Sequence, residues 1–315
     1  MNKKILGIGN AIVDVFAYVD DSFLRQNNLV KGSMKLINSQ EFFDLKKNIK
    51  VEKIVAGGSA ANTMVGISYL NGSASFIGKI NNDEFGNIYK KSLEKENVNF
   101  VYNEKNEELT TGASIVLITP DSERTMCTYL GISSTLSAND INNNNIKNHE
   151  LIFLEGYLWD KGESEKMFEQ AINLAKLNHT KISMSLSDTF CVTRHKKSFN
   201  KLLRKDLDIL IGNENEILEL TNTKDLKESI NLLKEINKLI VITRSENGSL
   251  AIFNKKIFEC RSVKVDNIID VTGAGDLFAA GFLKEYIDGS NIDMCLNRGS
   301  IIAAQIIQRI GARLN

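Results

Sequence analysis

The 315-residue chain has no excess of charge: 39 Lys and Arg balance 39 Asp and Glu, and no long basic stripe interleaved with aromatics stands out. Electrostatics therefore points neither to nucleic acid nor to an anionic membrane surface, and small, locally bound partners are expected. Long apolar runs are missing too. After its two lysines, MNKKILGIGN offers a strand-like run of only about six residues, too short for a signal-peptide core or a transmembrane helix, so a cytoplasmic protein is expected. The four cysteines (Cys127, Cys191, Cys260, Cys295) form no CxxC, and His149, His179 and His195 are read as lying away from them without ligand spacing. Buried free thiols are expected rather than a metal site. There is no internal repeat, and the single proline, Pro120, marks a turn after a strand. No GxxxxGK[ST] phosphate loop is present. GIGNAI (7–12) has isoleucine where a dinucleotide fingerprint needs its third glycine, and no acid follows at the end of a second strand.

With 43% hydrophobic residues, the chain can bury a sizeable core as one large α/β domain, or as a domain with a smaller appendage. Short β-branched runs, KILGIG (4–9), ASFIGKI (74–80), LIFLEG (151–156), KISMSL (181–186), LDILIG (207–212) and KLIVIT (238–243), read as buried strands. Segments 59–70, 84–96, 163–177 and 227–236 carry apolar residues at helical spacing. The alternation predicts a largely parallel sheet with helices on both faces. Residues 12–38 and 98–130 hold several strand-like pieces without a crossover helix, which predicts a small, mostly antiparallel sheet projecting from the main layer. INNNNIKN (141–148) reads as a polar loop.

DVTGAGD (270–276) precedes GDLFAAGFLKEY (275–286), which is apolar almost all round, as a buried helix should be. Gly273, Ala274 and Gly275 then sit at a helix N-terminus, where unpaired N–H groups and the helix dipole make an anion site. A carboxylate in that first turn suits phosphoryl transfer to an alcohol: the N–H groups hold the phosphoryl oxygens while Asp276 accepts the proton of the attacking hydroxyl. Taken alone, the same acid reads first as a helix cap.

The stretch closely resembles the DTxGAGD signature of the ribokinase-like (PfkB-type) carbohydrate and nucleoside kinases, and AGGSAANT (56–63) matches that family's GGxxxN sugar-binding motif in Gly57, Gly58 and Asn62. The resemblance covers essentially the whole chain. It implies a single kinase domain over residues 1–315 with a three-layer α/β/α ribokinase-like fold, and a β-sheet lid formed discontinuously by about residues 12–38 and 98–130. It assigns Asp276 as the general base and Gly273, Ala274 and Gly275 as the anion hole. Asp14 and Glu155 join the glycines and Asn62 as substrate contacts, with a surface strand residue and a strand-end charge as the bland alternatives. In NENE (213–216), Asn213 is placed near ATP and Glu216 near Mg2+ through water, against a plain helix start. Thr243 and Gly248, in VITRSENGS, fall in the phosphate-cradling loop, where Ser245 replaces the glycine of many relatives. INNDEFG (80–86) departs from IGxDxFG, with Asn81 expected to supply the left-handed turn. Asp270 and Thr272 fall where some relatives bind a monovalent cation, so K+ joins ATP and Mg2+ among the implied ligands, and a homodimer through the lid is among the implied assemblies.

GIGNAIVDV, AGGSAANT and ERTMCTYLG (123–131) look most like the adenosine-kinase-like branch. Phe16, Tyr18, Phe85, Phe153, Tyr157 and Trp159 are candidates to wall a purine, or ordinary packing. The expected reaction is transfer of the γ-phosphoryl to a primary hydroxyl, the 5′-OH of adenosine or a related purine nucleoside. The alternatives are a sugar kinase acting on ribose, fructose or 2-keto-3-deoxygluconate, and a non-catalytic ligand-binding relative.

Overall fold

The computed structural model describes residues 3–102, 107–121, 123–160 and 163–314, so residues 103–106 and 122 of the expected lid segment lie outside the described residues. In chain order the strands are Lys4–Ile8 (β1), Ile12–Tyr18 (β2), Met34–Leu36 (β3), Lys53–Ala56 (β4), Ser73–Ile77 (β5), Asn99–Phe100 (β6) and Gly112–Ile118 (β7). They continue as Arg124–Tyr129 (β8), Leu151–Glu155 (β9), Lys181–Ser185 (β10), Ile209–Asn213 (β11), Leu239–Thr243 (β12), Ser249–Phe253 (β13) and Lys256–Cys260 (β14). The helices are Asp21–Gln26 (α1), Ser39–Lys47 (α2), Ser59–Tyr69 (α3), Glu84–Lys95 (α4), Asn143–Ile146 (α5) and Ser164–Leu177 (α6). Thr189–Lys205 (α7), Glu214–Thr221 (α8), Leu226–Leu233 (α9), Ala274–Asp288 (α10) and Ile292–Ile306 (α11) complete them. No helix among the described residues is long and apolar enough to cross a membrane.

Nine strands form one sheet in the order β14-β13-β12-β11-β10-β9-β1-β5-β6, parallel from β6 to β12 and antiparallel through β13 and β14. Its strands are apolar at successive positions because both faces are covered. Ile5, Leu151 and Phe153 enter one core with Met64, Phe282 and Leu296 of α3, α10 and α11, while Leu6, Ile8, Ile152 and Leu154 enter the other with Met167, Phe199 and Ile217 of α6, α7 and α8. The result is the three-layer ribokinase-like α/β fold.

A second sheet, β3-β8-β7-β2-β4, stands beside the first. It is mixed rather than mostly antiparallel: β2 pairs parallel with β7 and β3 with β8, while β7–β8 and β2–β4 are antiparallel. Its strands also extend beyond the two expected segments. β4 lies outside both, and β6, inside the second, pairs with β5 of the large sheet. The Asn-rich stretch holds the short helix α5, where Asn142 accepts from the N–H groups of Asn144 and Asn145.

α3 and α10 touch along small residues. A Cβ on Gly66 would stand 2.6 Å from Ala280 Cβ and 2.8 Å from Leu277 Cδ1, so the absent side chain lets the two helices approach and brings their first turns together. Gly66→Val should overfill this seam and cost about 1–3 kcal/mol. Denaturant unfolding should show a lower midpoint with an unchanged slope, whereas an unchanged midpoint would mean the seam is slack.

Candidate active site

The first turn of α10 begins at Gly273, whose φ of +79° an L side chain rarely adopts. Its helical start leaves N–H groups without intrahelical partners. Ala274 departs from the expected trio, because its N–H closes the turn onto Val271 O at 3.1 Å. The N–H groups of Gly273, Gly275 and Asp276 have no acceptor among the described residues. A Cβ on Gly275 would meet nothing within 4 Å, so the space beside Gly275 is open, whereas one on Gly273 would stand 2.7 Å from Ala312.

Asp276 sits half-buried at this opening. Its Oδ1 accepts from Ser59 Oγ at 2.6 Å and its Oδ2 from Asn62 Nδ2 at 3.0 Å, both from the first turn of α3. Burial pushes its carboxyl up to about 6, against the lowering effect of those two hydrogen bonds and of the Arg313 charge. A base with that value is largely ionised at neutral pH yet close enough to it to take a proton.

Asp14 of β2 faces the same space. No donor among the described residues reaches its carboxylate, and its value is raised to about 7 by burial, opposed by Arg313 and Arg124 and reinforced by Asp276. Gly57 is small for this reason: a Cβ there would lie 2.3 Å from Asp14 Oδ2. Gly58, at φ +88°, begins α3. An unpartnered carboxylate beside backbone and an open cleft is an acceptor suited to hydroxyl groups.

Two expected substrate contacts are engaged by the protein itself. Asn62 donates to Asp276 and accepts from Arg313 Nε at 3.0 Å, leaving one N–H and one lone pair. Glu155, 1% exposed at the end of β9, accepts from Asn10 N–H (3.3 Å), Asn10 Nδ2 (2.8 Å) and Ala60 N–H (2.9 Å). It braces the first turn of α3 against the first strand's loop, and burial raises it to about 7.

At the carboxyl edge of the sheet, Asn213 and Thr243 are register partners on β11 and β12. Asn213 and Glu216 form a capping box: Oε1 and Oε2 of Glu216 accept from Asn213 Nδ2 and N–H, and Asn213 Oδ1 accepts from Glu216 N–H. Glu216 is 4% exposed, raised by burial to about 7 and engaged by Asn213 through both oxygens, so it is not free to ligate a metal directly. Gly248 closes the turn with Arg244 by accepting its N–H at 2.8 Å, and Ser245 takes φ +48°, a conformation that glycine adopts more readily. Asn81, by contrast, is not left-handed. Its side chain does the work instead, donating to Glu107 O and Leu109 O.

Asp270 accepts from Arg124 Nη2 (2.5 Å), Thr272 N–H (3.0 Å) and Gly311 N–H (2.7 Å), while Arg124 Nη1 donates to Thr272 Oγ1 at 2.6 Å. The positive partner at the expected monovalent-cation position is thus a guanidinium from β8. Of the aromatic candidates, Phe85 and Phe153 are buried in the core, Trp159 packs partly buried against it, and Tyr18 points outward, 64% exposed. Tyr157 donates its hydroxyl to Ser187 O, and Phe16 lies under the Arg124 guanidinium.

The separation of histidine from cysteine fails at α7. Cys191 and His195, four apart on one helix face, stand with Asp160 in a group whose ligand atoms lie within 4.8 Å of one another. Arg194 already grips Asp160 through two hydrogen bonds, His195 Nε2 lies 2.7 Å from it, and the Cys191 thiol donates to Gly156 O. The cluster is internally satisfied. The cysteines are free, with Cys127, Cys191 and Cys295 buried and Cys260 partly so.

Sequence reading missed Ser59, although it lies inside AGGSAANT, and it missed Asn10, Arg124 and Arg313 as site residues. Arg313 had no local signal: it stands alone, far along the chain from the residues it touches.

The chain matches the family described as pfkB family carbohydrate kinase over residues 25–315. Adenosine kinase of Saccharomyces cerevisiae is 24% identical over 99% of this chain and 96% of its own length. The crystal structure of adenosine kinase from Sinorhizobium meliloti superposes with a TM-score of 0.93 at 35% identity, covering 100% of this chain and 96% of that one. A probable sugar kinase from Rhizobium etli gives a TM-score of 0.93 at 32% identity over 99% and 96%.

Replacing Glu155 tests the brace under α3. In Glu155→Gln, one amide N–H2 must face a donor from Asn10 or Ala60, which should cost about 1–3 kcal/mol in unfolding free energy at neutral pH. The sign with pH also follows: burial raises Glu155, so its share of stability is present below the ordinary carboxylate value and is lost as pH rises through about 7. The Gln variant should therefore show a shallower decline over that window, and an identical decline would exclude Glu155 as its source.

Proposed function

The chain belongs to the pfkB family of carbohydrate kinases and is a phosphotransferase with an alcohol group as acceptor, and from that premise we propose that it carries the γ-phosphoryl of ATP to the 5′-hydroxyl of adenosine or a related purine nucleoside. The observation that carries the reading is the Asp276 carboxylate beside N–H groups without acceptors at the open start of α10. The hydroxyl oxygen attacks the γ-phosphorus, its proton passes to a carboxylate oxygen of Asp276, and ADP leaves with the electrons of the broken P–O bond. The N–H groups of Gly273, Gly275 and Asp276 receive the equatorial phosphoryl oxygens. Glu216 would hold magnesium through water, and the ion would supply neutralisation of the phosphate charge.

Asp14 accepts from ribose hydroxyls, and the remaining N–H and lone pair of Asn62 complete that end. Asn213, Thr243 and Gly248 lie along the nucleotide end. The small sheet acts as a lid within a single kinase domain: Arg124 reaches from β8 to Asp270 and Thr272 at the anion site, and closure keeps water from the phosphoryl group. Tyr18, Leu36 and Met126 are exposed on that sheet, and a homodimer would use this face. The likeness to the Sinorhizobium meliloti adenosine kinase supports a nucleoside, while the likeness to the Rhizobium etli probable sugar kinase supports the alternative of a sugar acceptor.

Asp276→Asn should leave folding and ATP binding nearly intact and lower turnover by about two to four orders of magnitude. In the unaltered protein kcat/KM should fall as pH drops through about 6, because the base is inactive once protonated. Near-normal turnover in the variant would leave Asp276 a helix cap.

With Mg-ATP fixed, kcat/KM should favour adenosine over free ribose by orders of magnitude, since base contacts help to position the hydroxyl. Inosine, fructose and 2-keto-3-deoxygluconate complete the panel. Preference for a free sugar would overturn the nucleoside assignment and leave the kinase chemistry standing.

A further inference from the structure

Arg313, in the segment after α11, holds three separate parts of the site. Nε donates to Asn62 Oδ1 at 3.0 Å, Nη1 to Ser92 Oγ of α4 at 2.8 Å, and Nη2 to Gly57 O at 3.3 Å. A guanidinium has five N–H donors and no acceptor. An asparagine amide is nearly symmetric in shape, so either end could face Asp276 unless something decides between them. A donor-only group on one side decides: oxygen must face Arg313, which turns the N–H2 toward Asp276. Were the amide reversed, its oxygen would face the carboxylate, repel the ionised form and accept a hydrogen bond from the protonated form.

We propose that Arg313 is the positioning residue of the reaction centre: by committing the Asn62 amide to donate to Asp276, and by lending its positive charge, it keeps Asp276 the unprotonated carboxylate that phosphoryl transfer requires. This rests on the reading of Asp276 as general base. The other groups around it do not replace that charge. Ser59 and Asn62 of α3 are neutral, Asp14 of β2 and Glu155 of β9 are acidic, Glu96 after α4 acts on Arg313 as a further negative charge, and Tyr89 of α4, kept a neutral phenol by burial, adds none. Arg124 of β8 acts on Asp14 and is engaged by Asp270 and Thr272.

The test is the pH profile of kcat/KM for the phosphoryl acceptor in Arg313→Met, Arg313→Lys and Asp276→Asn, with thermal unfolding recorded for each. Arg313→Met should move the acid limb upward by about one pH unit, so that its deficit is about five- to tenfold deeper near about pH 6 than near about pH 8.5. Arg313→Lys, which also only donates and keeps the charge, should return the limb close to that of the unaltered protein. A deficit in Arg313→Met that is the same at every pH, or no deficit at all, overturns the proposal, because a merely structural role would scale the rate without moving the limb. If Arg313→Met does not fold, Arg313→Gln, polar and uncharged, is read by the same criteria. Asp276→Asn separates the two ideas. If it retains turnover and the acid limb, the kinase reading of Asp276 fails; if it loses both while the Arg313 variants keep the limb in place, only the role of Arg313 fails.

Discussion

Everything at this site depends on the meeting of two helix N-termini. α3 and α10 each start at a glycine in a conformation costly for other residues, Gly58 at φ +88° and Gly273 at φ +79°. Both present a first turn with unfilled N–H groups and a positive dipole end. Asp276 lies in one turn and is hydrogen-bonded by Ser59 and Asn62 of the other. The two ends together stabilise negative charge better than either alone, which explains how a partly desolvated carboxylate stays available beside a place suited to a phosphoryl group. The helix seam at Gly66 makes that juxtaposition possible.

The large sheet serves this meeting by fixing what lies beneath it. β9 ends in Glu155, which receives Ala60 N–H from α3 and both Asn10 donors from the loop after β1. Ser133 Oγ donates in turn to Asn10 Oδ1 at 2.9 Å. A buried network whose members are all satisfied is stiff, because any displacement leaves a donor unpaired in low dielectric. The glycine turn at 57–58 therefore cannot drift, and with it neither can the contact between Gly57 and Asp14. The placing of Gly57 against Asp14 is inherited from a polar network one layer below it.

Much of this was legible in the sequence where function is carried by contiguous residues. DVTGAGD and AGGSAANT located the two helix starts, and the alternation of apolar runs located the parallel core strands. What was not legible depends on distance along the chain or on edges. Arg313 touches Asn62 and Gly57 some 250 positions away, with |i−j| of 251 and 256. Arg124 meets Asp270 across 146 positions. α7 has few apolar residues amid basic ones, although Asp188 capping Cys191 N–H at 2.6 Å was a readable start signal. The small sheet's direction of pairing could not be read from period-two patterns, because alternation fixes which face is buried and not which strand is the neighbour.

Charge supplies the last constraint. Asp14 and Asp276 raise each other's cost of ionisation in a partly desolvated cleft, and an incoming polyphosphate adds more negative charge to the same space. Hydrogen bonds from Ser59 and Asn62 favour ionisation of Asp276 most, and the nearby Arg313 charge adds to them. Two guanidiniums answer this, Arg313 from the segment after α11 and Arg124 from the small sheet. They are not equivalent. Arg313 is tied to α3, α4 and the turn together and moves only if those move, whereas Arg124 belongs to the sheet proposed as the lid. Arg313 therefore keeps its place with the elements that hold Asp276, whereas Arg124, already hydrogen-bonded to Asp270 and Thr272, brings its charge from a separate sheet.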